Sequence, residues 1–346
     1  MKLNYLVVSI FVSTLFSFII ACSSGDSPVL NITQPAAFVV NGLGNSISVI
    51  DLNVDTKVHD IGLNGATYPH HIYMSPDSSK LAVAITATDL SGGHSGHGGG
   101  NTGGYKVQII NSITGVIEHE IALTKLPHNA VFSPNGSELW IPQSGTPSYV
   151  FIYSTTDWKK QKEILVGKLT SEVTFAPDGS KVYAANTDEA TVSVIDPTTK
   201  TVLTTISVGT TPVGAWPASN GKMYVDNETS KTVSEIDVAT NLVTATINLG
   251  FTPAYVAYNT QHFELWVSDS DNGKVIYYKF VAGIWTKDGE ISTGTDAHAM
   301  VFTADGSKAY VTNQGANTLS VLDVSAHTKI KDIPVGSKPN GIVLKQ

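Results

Sequence analysis

Asp305-Gly306-Ser307-Lys308-Ala309-Tyr310-Val311-Thr312-Asn313, followed after a short polar stretch by Leu319-Ser320-Val321-Leu322-Asp323, decides the fold of this chain. Asp-Gly marks a tight reversal, because glycine accepts positive φ and aspartate bonds its own turn backbone. The aromatic and β-branched residues after it are strand formers, and each run closes on Asn or Asp, which leave strands for turns. Upstream, His298 to Thr303 reads as an apolar strand entering the turn. Downstream of Asp323, a further turn leads to a fourth strand.

This unit of about 42 residues recurs along the chain, and one unit of four short strands is one propeller blade. The first strands are read as His71 to Ser75, Asn129 to Ser133, Glu172 to Ala176, Val213 to Pro217, Ala254 to Tyr258, His298 to Thr303 and Gly341 to Leu344, seven in all. The turns after them include Pro76-Asp77, Pro134-Asn135-Gly136 and Pro177-Asp178-Gly179. Second strands read FVVN, LAVAI, LWIPQ, VYAAN, MYVDN, LWVSD and AYVTN, and third strands include ISVID, VSVID, VSEID and LSVLD. No amphipathic helix of useful length interrupts them. The expected fold is therefore all-β, a seven-bladed β-propeller. The first repeat begins at its second strand and the last segment is a first strand without a repeat behind it, so the C-terminal strand is expected to close the first blade and leave no inner edge open.

With Tyr310-Val311-Thr312-Asn313 and Leu319 to Asp323 as its plainest copy, the repeat resembles the YVTN-repeat family of β-propellers, from Ala36 to the C-terminus. The resemblance implies the fold and a bacterial envelope setting. It implies no particular activity, since function is carried by sites and not by folds.

The N-terminus reads separately. Lys2 precedes an apolar run from Tyr5 to Ala21 that ends at the sole cysteine, Cys22. An uncleaved membrane helix is the plain alternative, as the run approaches the roughly 17–25 residues that span a bilayer. Ile19-Ile20-Ala21-Cys22, however, resembles the bacterial lipobox, which implies cleavage before Cys22 and acylation of its thiol. Residues 1–21 are thus read as a lipoprotein signal peptide, 22–35 as the lipidated cysteine and a flexible tether, and 36–346 as the propeller. Ser23 lacks the aspartate that, in envelope lipoproteins, retains them at the inner membrane, which favours an outer-membrane address. A multiply acylated cysteine anchors durably. The formal charge of −8 is spread without a basic run, which argues against nucleic acid as a partner. A monomer is expected.

Strands of a blade run antiparallel from axis to rim, so loops alternate between two faces. One face receives the loops entering the first strands and those joining second to third strands; the Pro-Asp-Gly and Asp-rich turns lie on the other. At the mouths of the first strands stand His70, His128, Ser171, Val213, Ala254, His298 and Asn340. His71 adds an imidazole beside His70, and Asp296 is placed to orient His298. The insertion Asp89 to Gly104 (DLSGGHSGHGGGNTGG) reaches the same face with His94 and His97, so six of the ten histidines gather there. Imidazole is the commonest biological metal ligand and suits Cu, Zn, Ni or Fe. His59 and His119 fall on outer strands, His262 and His327 in turns opposite. Asp269, Asp271 and Gly273 with Asp226 and Asp188 make half a calcium loop, better read as solvated turns. Trp140, Trp216 and Trp266 are expected in the core; Trp158 and Trp285 lie on outer strands.

No nucleophile elbow, HExxH or Walker loop is present. The leading expectation is a non-enzymatic envelope binding module holding a small ligand or protein partner at its histidine face, through a transition metal. Two alternatives stand beside it. One is a metal-dependent lyase, lactonase or oxidoreductase at the same mouth, with Glu172 as the nearby carboxylate; the other is a surface-layer-like structural protein.

Overall fold

The computed structural model describes residues 30–90 and 104–346. Cys22, His94 and His97 lie outside them. The described residues contain no helix and form seven four-stranded antiparallel sheets. Blade 1 runs Pro339–Lys345, Ala36–Asn41, Ser46–Asp51, Thr56–Gly62 from axis to rim. Blade 2 runs Pro69–Met74, Lys80–Ile85, Lys106–Asn111, Ile117–Ala122, and blade 3 Val131–Phe132, Glu138–Gln143, Tyr149–Ser154, Lys160–Leu165. Blade 4 runs Thr170–Phe175, Val182–Asn186, Thr191–Asp196, Thr201–Ser207, and blade 5 Pro212–Ala218, Lys222–Asn227, Thr232–Asp237, Leu242–Asn248. Blade 6 runs Pro253–Asn259, Glu264–Asp269, Lys274–Val281, Ile284–Ser292, and blade 7 Ala297–Phe302, Lys308–Asn313, Thr318–Asp323, Thr328–Pro334.

The expected closure is present. Phe38 pairs with Val343 and Val39 with Ile342, so the C-terminal strand is the innermost strand of the N-terminal blade. The first strands begin earlier than expected, at Pro69, Thr170, Pro212, Pro253, Ala297 and Pro339. Four of these starts are prolines, and proline at the first residue of a strand forfeits no ladder bond. In blade 3 the first strand shrinks to Val131–Phe132.

Second strands are buried on both faces, as in Ala36–Asn41, and so read as continuous apolar runs. Outer strands such as Thr56–Gly62 bury a single inward residue. The asparagine that ends the repeat motif has a physical task. Asn313, fully buried, donates to Thr318 Oγ1 at 3.0 Å and Ser320 Oγ at 2.9 Å on the third strand, and accepts from Gly294 N at 2.9 Å. It thereby ties second strand, third strand and the incoming loop together. Asn186 repeats the pattern with Thr191, Ser193 and Gly167. A Cβ at Gly294 would come within 2.7 Å of the Asn313 side chain, so the loop requires glycine there for close approach.

Neighbouring blades are clasped on the turn face. A residue at the start of one blade's second strand reaches the turn between third and fourth strands of the next: Glu138 to Lys200, Lys181 to Asn241 at 2.8 Å, Glu264 to His327 at 3.0 Å, and Lys308 to Asp55 at 2.6 Å. The last of these crosses the closure, and the Tyr310 hydroxyl also donates to Asp55.

Candidate metal centre

The site is made by an irregularity in the inner strands. In blade 2, Pro69 faces Ile85 while Ile72 faces Val83, so His70 and His71 together oppose one partner residue. Comparable shifts occur at the same place in blades 1, 4, 5, 6 and 7. A bulge of this kind re-aims side chains and breaks strict alternation, which lets two successive residues of one strand approach the axis. Two rings result. The outer ring is the expected His70, His128, Ser171, Val213, Ala254, His298, Asn340; beneath it lie His71, Asn129, Glu172, Gly214, Tyr255, Ala299 and Gly341.

The histidines converge. His70 and His128 ring centroids are 4.3 Å apart, His70 and His71 4.4 Å, and His71 and His128 5.1 Å. One ligand nitrogen from each of the three lies within 4.8 Å of the others. All three are buried, with 3%, 5% and 1% of their surfaces exposed. His298, 7% exposed, completes the arc across blade 1, its centroid 6.4 Å from that of His70 and 6.3 Å from that of His71.

Glu172 lies at the base of the cluster, 1% exposed. Its Oε1 is 2.8 Å from His71 Nε2 and 3.2 Å from His128 Nδ1. Its Oε2 accepts from the Tyr73 hydroxyl and from Asn129 Nδ2, each at 3.3 Å. Asn129 is fixed in turn by blade 4, donating to Val173 O and accepting from Val173 N. Burial first, and the Glu172 carboxylate second, push the Tyr73 hydroxyl well above the ordinary phenol range and do the same to Tyr255. Both phenols stay neutral, and Tyr73 donates to the carboxylate. Next to them the Trp216 indole folds over Gly214 and donates to Asp226 Oδ1 at 2.7 Å. A Cβ at Gly214 would sit 2.4 Å from that indole, so only glycine admits it.

Other sequence candidates fall elsewhere. The carboxylate of Asp296 faces the Lys338 ammonium at 3.6 Å, and partial burial raises its pKa. Asp269 accepts from Asn272 within its own turn. Asp226 holds Trp216 and the backbone N–H of Gly214. His119 stacks on Trp158, and His327 stacks on Tyr277 beside Glu264. Trp140, Trp216 and Trp266 are buried, at 0%, 5% and 0% exposure. Sequence reading did not assign Asn129, Tyr73 or Tyr255 to the site, because a strict two-residue period turns the lower ring away from the channel mouth.

Tyr73, which donates to Glu172, also lines an aromatic cavity of about 460 Å³ together with Phe132, Phe175, Trp216, Tyr255 and Phe302.

No family model and no curated protein matches this chain. Solved structures do. The periplasmic gluconolactonase of Pseudomonas aeruginosa is similar over 90% of this chain and 99% of its own, at 15% identity and a TM-score of 0.71. A functionally unknown protein of Desulfotomaculum acetoxidans matches over 89% and 98%, at 13% identity and a TM-score of 0.72. Hydrazine synthase of Kuenenia stuttgartiensis matches over 79% and 88%, at 18% identity and a TM-score of 0.64. At these identities the likeness is one of fold.

Proposed function

We propose that this chain is a lipid-anchored cell-envelope propeller of the YVTN-repeat kind that acts as a binding module. In this reading a transition metal is held at its channel mouth by His70, His71 and His128, with Glu172 as a fourth donor. The observation that supports the metal is the approach of three buried imidazole nitrogens to within 4.8 Å of one another, above a buried carboxylate. Tetrahedral ligands about 2.0–2.1 Å from zinc lie about 3.4 Å apart, so binding would draw the rings inward by small rotations. His298 stands beside the set, and His94 and His97 on the glycine-rich insertion are candidates to complete it. With the three imidazoles as ligands and Glu172 displaced from the fourth position, the metal would present that position to a small ligand or to a donor group of a partner protein. Acylation of Cys22 would hold the module at the envelope, with the outer membrane favoured.

Elemental analysis of protein purified aerobically without a histidine tag tests the metal. About one equivalent of Zn, Cu, Ni or Fe is expected, with that metal falling well below one equivalent in His70→Ala, which leaves the pairing of Glu172 with His71 and His128 in place and so retains the fold. Substoichiometric metal in the parent, together with no rise in Tm on adding these ions, would reject the assignment.

A second reading is hydrolytic. It is favoured by the carboxylate held between two imidazoles, an acid–base arrangement, and by a fold neighbour that is a gluconolactonase. Ring opening of an aldonolactone, lost in Glu172→Gln, would favour this reading over the binding module.

A further inference from the structure

The two faces of the disc differ in apolar exposure. Among the described residues, the exposed large apolar side chains other than Leu43, Leu165 and the outer-strand rim residues Val58, Leu203 and Ile330 fall in the turns of one face or in the one or two strand residues beside them. That face carries the turns between first and second and between third and fourth strands, opposite the histidines. The exposure peaks in blade 6. Its outer hairpin, Lys274–Val281 and Ile284–Ser292, is the longest of the ring, and its tip leaves Phe280 55%, Val281 55% and Ile284 64% exposed beside Phe263 at 69%. The hairpin is pinned next to its tip by Trp285, whose indole donates to Glu235 of blade 5 at 2.7 Å. A pinned hairpin presenting bare apolar side chains costs solvation free energy unless something covers it.

The chain enters on this same face. Leu30 N donates to Thr114 O and Ile32 N to Ile113 O, in the turn between the outer strands of blade 2. Topology requires this entry, since a chain that begins with a second strand must start at the turn face. From Cys22 to Leu30 the backbone spans at most about 29 Å fully extended, so acyl chains on Cys22 bring the bilayer near this face.

We propose that the turn face is the membrane-facing side of the propeller. The tip of the blade 6 hairpin dips into the headgroup region, and the histidine centre opens away from the bilayer. This inference rests on acylation of Cys22. The occupant is a surface of zwitterionic lipid: the face carries aspartates such as Asp51, Asp196 and Asp305, held by their own turn amides, and its lysines Lys80, Lys200, Lys222 and Lys308 are each paired with a carboxylate of the protein, leaving them little charge to offer anionic headgroups.

The test places a single reactive cysteine in the full acylated chain, at Ile284→Cys or at Leu43→Cys on the opposite face. Each is labelled with an environment-sensitive fluorophore and the protein reconstituted into phosphatidylcholine vesicles containing nitroxide-labelled lipid. Quenching about threefold or more greater at position 284 than at 43 is expected, with no gain when anionic lipid is added. Equal, water-like emission at both positions in the acylated protein overturns the proposal. Radiolabelled palmitate incorporation, absent from Cys22→Ser, reads the anchor separately. If Cys22 takes no lipid, the anchor reading fails while quenching at 284 by added vesicles still decides the docking face.

Discussion

At the scale of single residues the account turns on Glu172. A carboxylate this deeply buried is tolerable only if its charge is answered, and the imidazoles of His71 and His128 with the donors of Tyr73 and Asn129 answer it. Removing one partner of such a buried set costs about 3–5 kcal/mol. In metal-free protein, Glu172→Ala should lower the unfolding free energy from denaturant titration by that amount, and Glu172→Gln, which keeps shape and some hydrogen bonds, by less. A loss below about 1 kcal/mol, the range of exposed pairs, would mean the carboxylate does not organise the imidazoles. The outer ring was legible in the sequence because turn signals gave a ruler along each repeat, placing His70, His128 and His298 at one level. Tyr255 was not, because the bulge that brings it inward leaves no local signature, and Asn129 was not, because it precedes a first strand shortened to Val131–Phe132.

Among the elements, the turns carry a pH-dependent share of stability. Asp237 and Asp305 are held down to about 2, from an ordinary 3.8, by hydrogen bonds to their carboxylates: first from Lys222 and then the Thr240 turn amide for Asp237, first from Thr303 and then the Ser307 turn amide for Asp305. A carboxylate whose folded pKa is depressed stabilises the fold above its unfolded pKa and loses that contribution as pH falls through the folded value. Tm should therefore be flat above about pH 5 and fall between about pH 4 and pH 2, and Asp305→Asn should remove its part of the slope. An unchanged Tm at pH 3 would contradict this. Second and third strands were read within a residue or two because burial on both faces writes a continuous apolar run. First strands were read late at their starts, since proline signals a turn in sequence but is harmless at a strand's opening residue.

For the whole molecule, ring closure is the decisive contact. The strand Pro339–Lys345 covers the inner edge of Ala36–Asn41, and Lys308 and Tyr310 clasp Asp55 across the same seam. Deleting residues 341–346 uncovers Ile342, Val343 and Leu344 contacts and a strand edge, a loss of about 3–6 kcal/mol. Against a total stability of about 5–15 kcal/mol this should lower Tm sharply, and an unchanged melt would contradict the closure. Closure was legible because the repeat starts and stops out of phase with itself. The rotational pseudo-symmetry also gathers imidazoles from blades 2, 3 and 7 at one level, which the repeat made legible, whereas the direct approach of His71 and His128 to the blade 4 carboxylate has no trace in local sequence.

X-ray absorption at the edge of a metal loaded into the proposed centre tests that gathering most directly. The account predicts a first shell dominated by imidazole nitrogen at about 2.0–2.1 Å, with outer-shell scattering from several rings that weakens in His128→Ala. A shell of oxygen alone, or a spectrum unchanged in that variant, would contradict it.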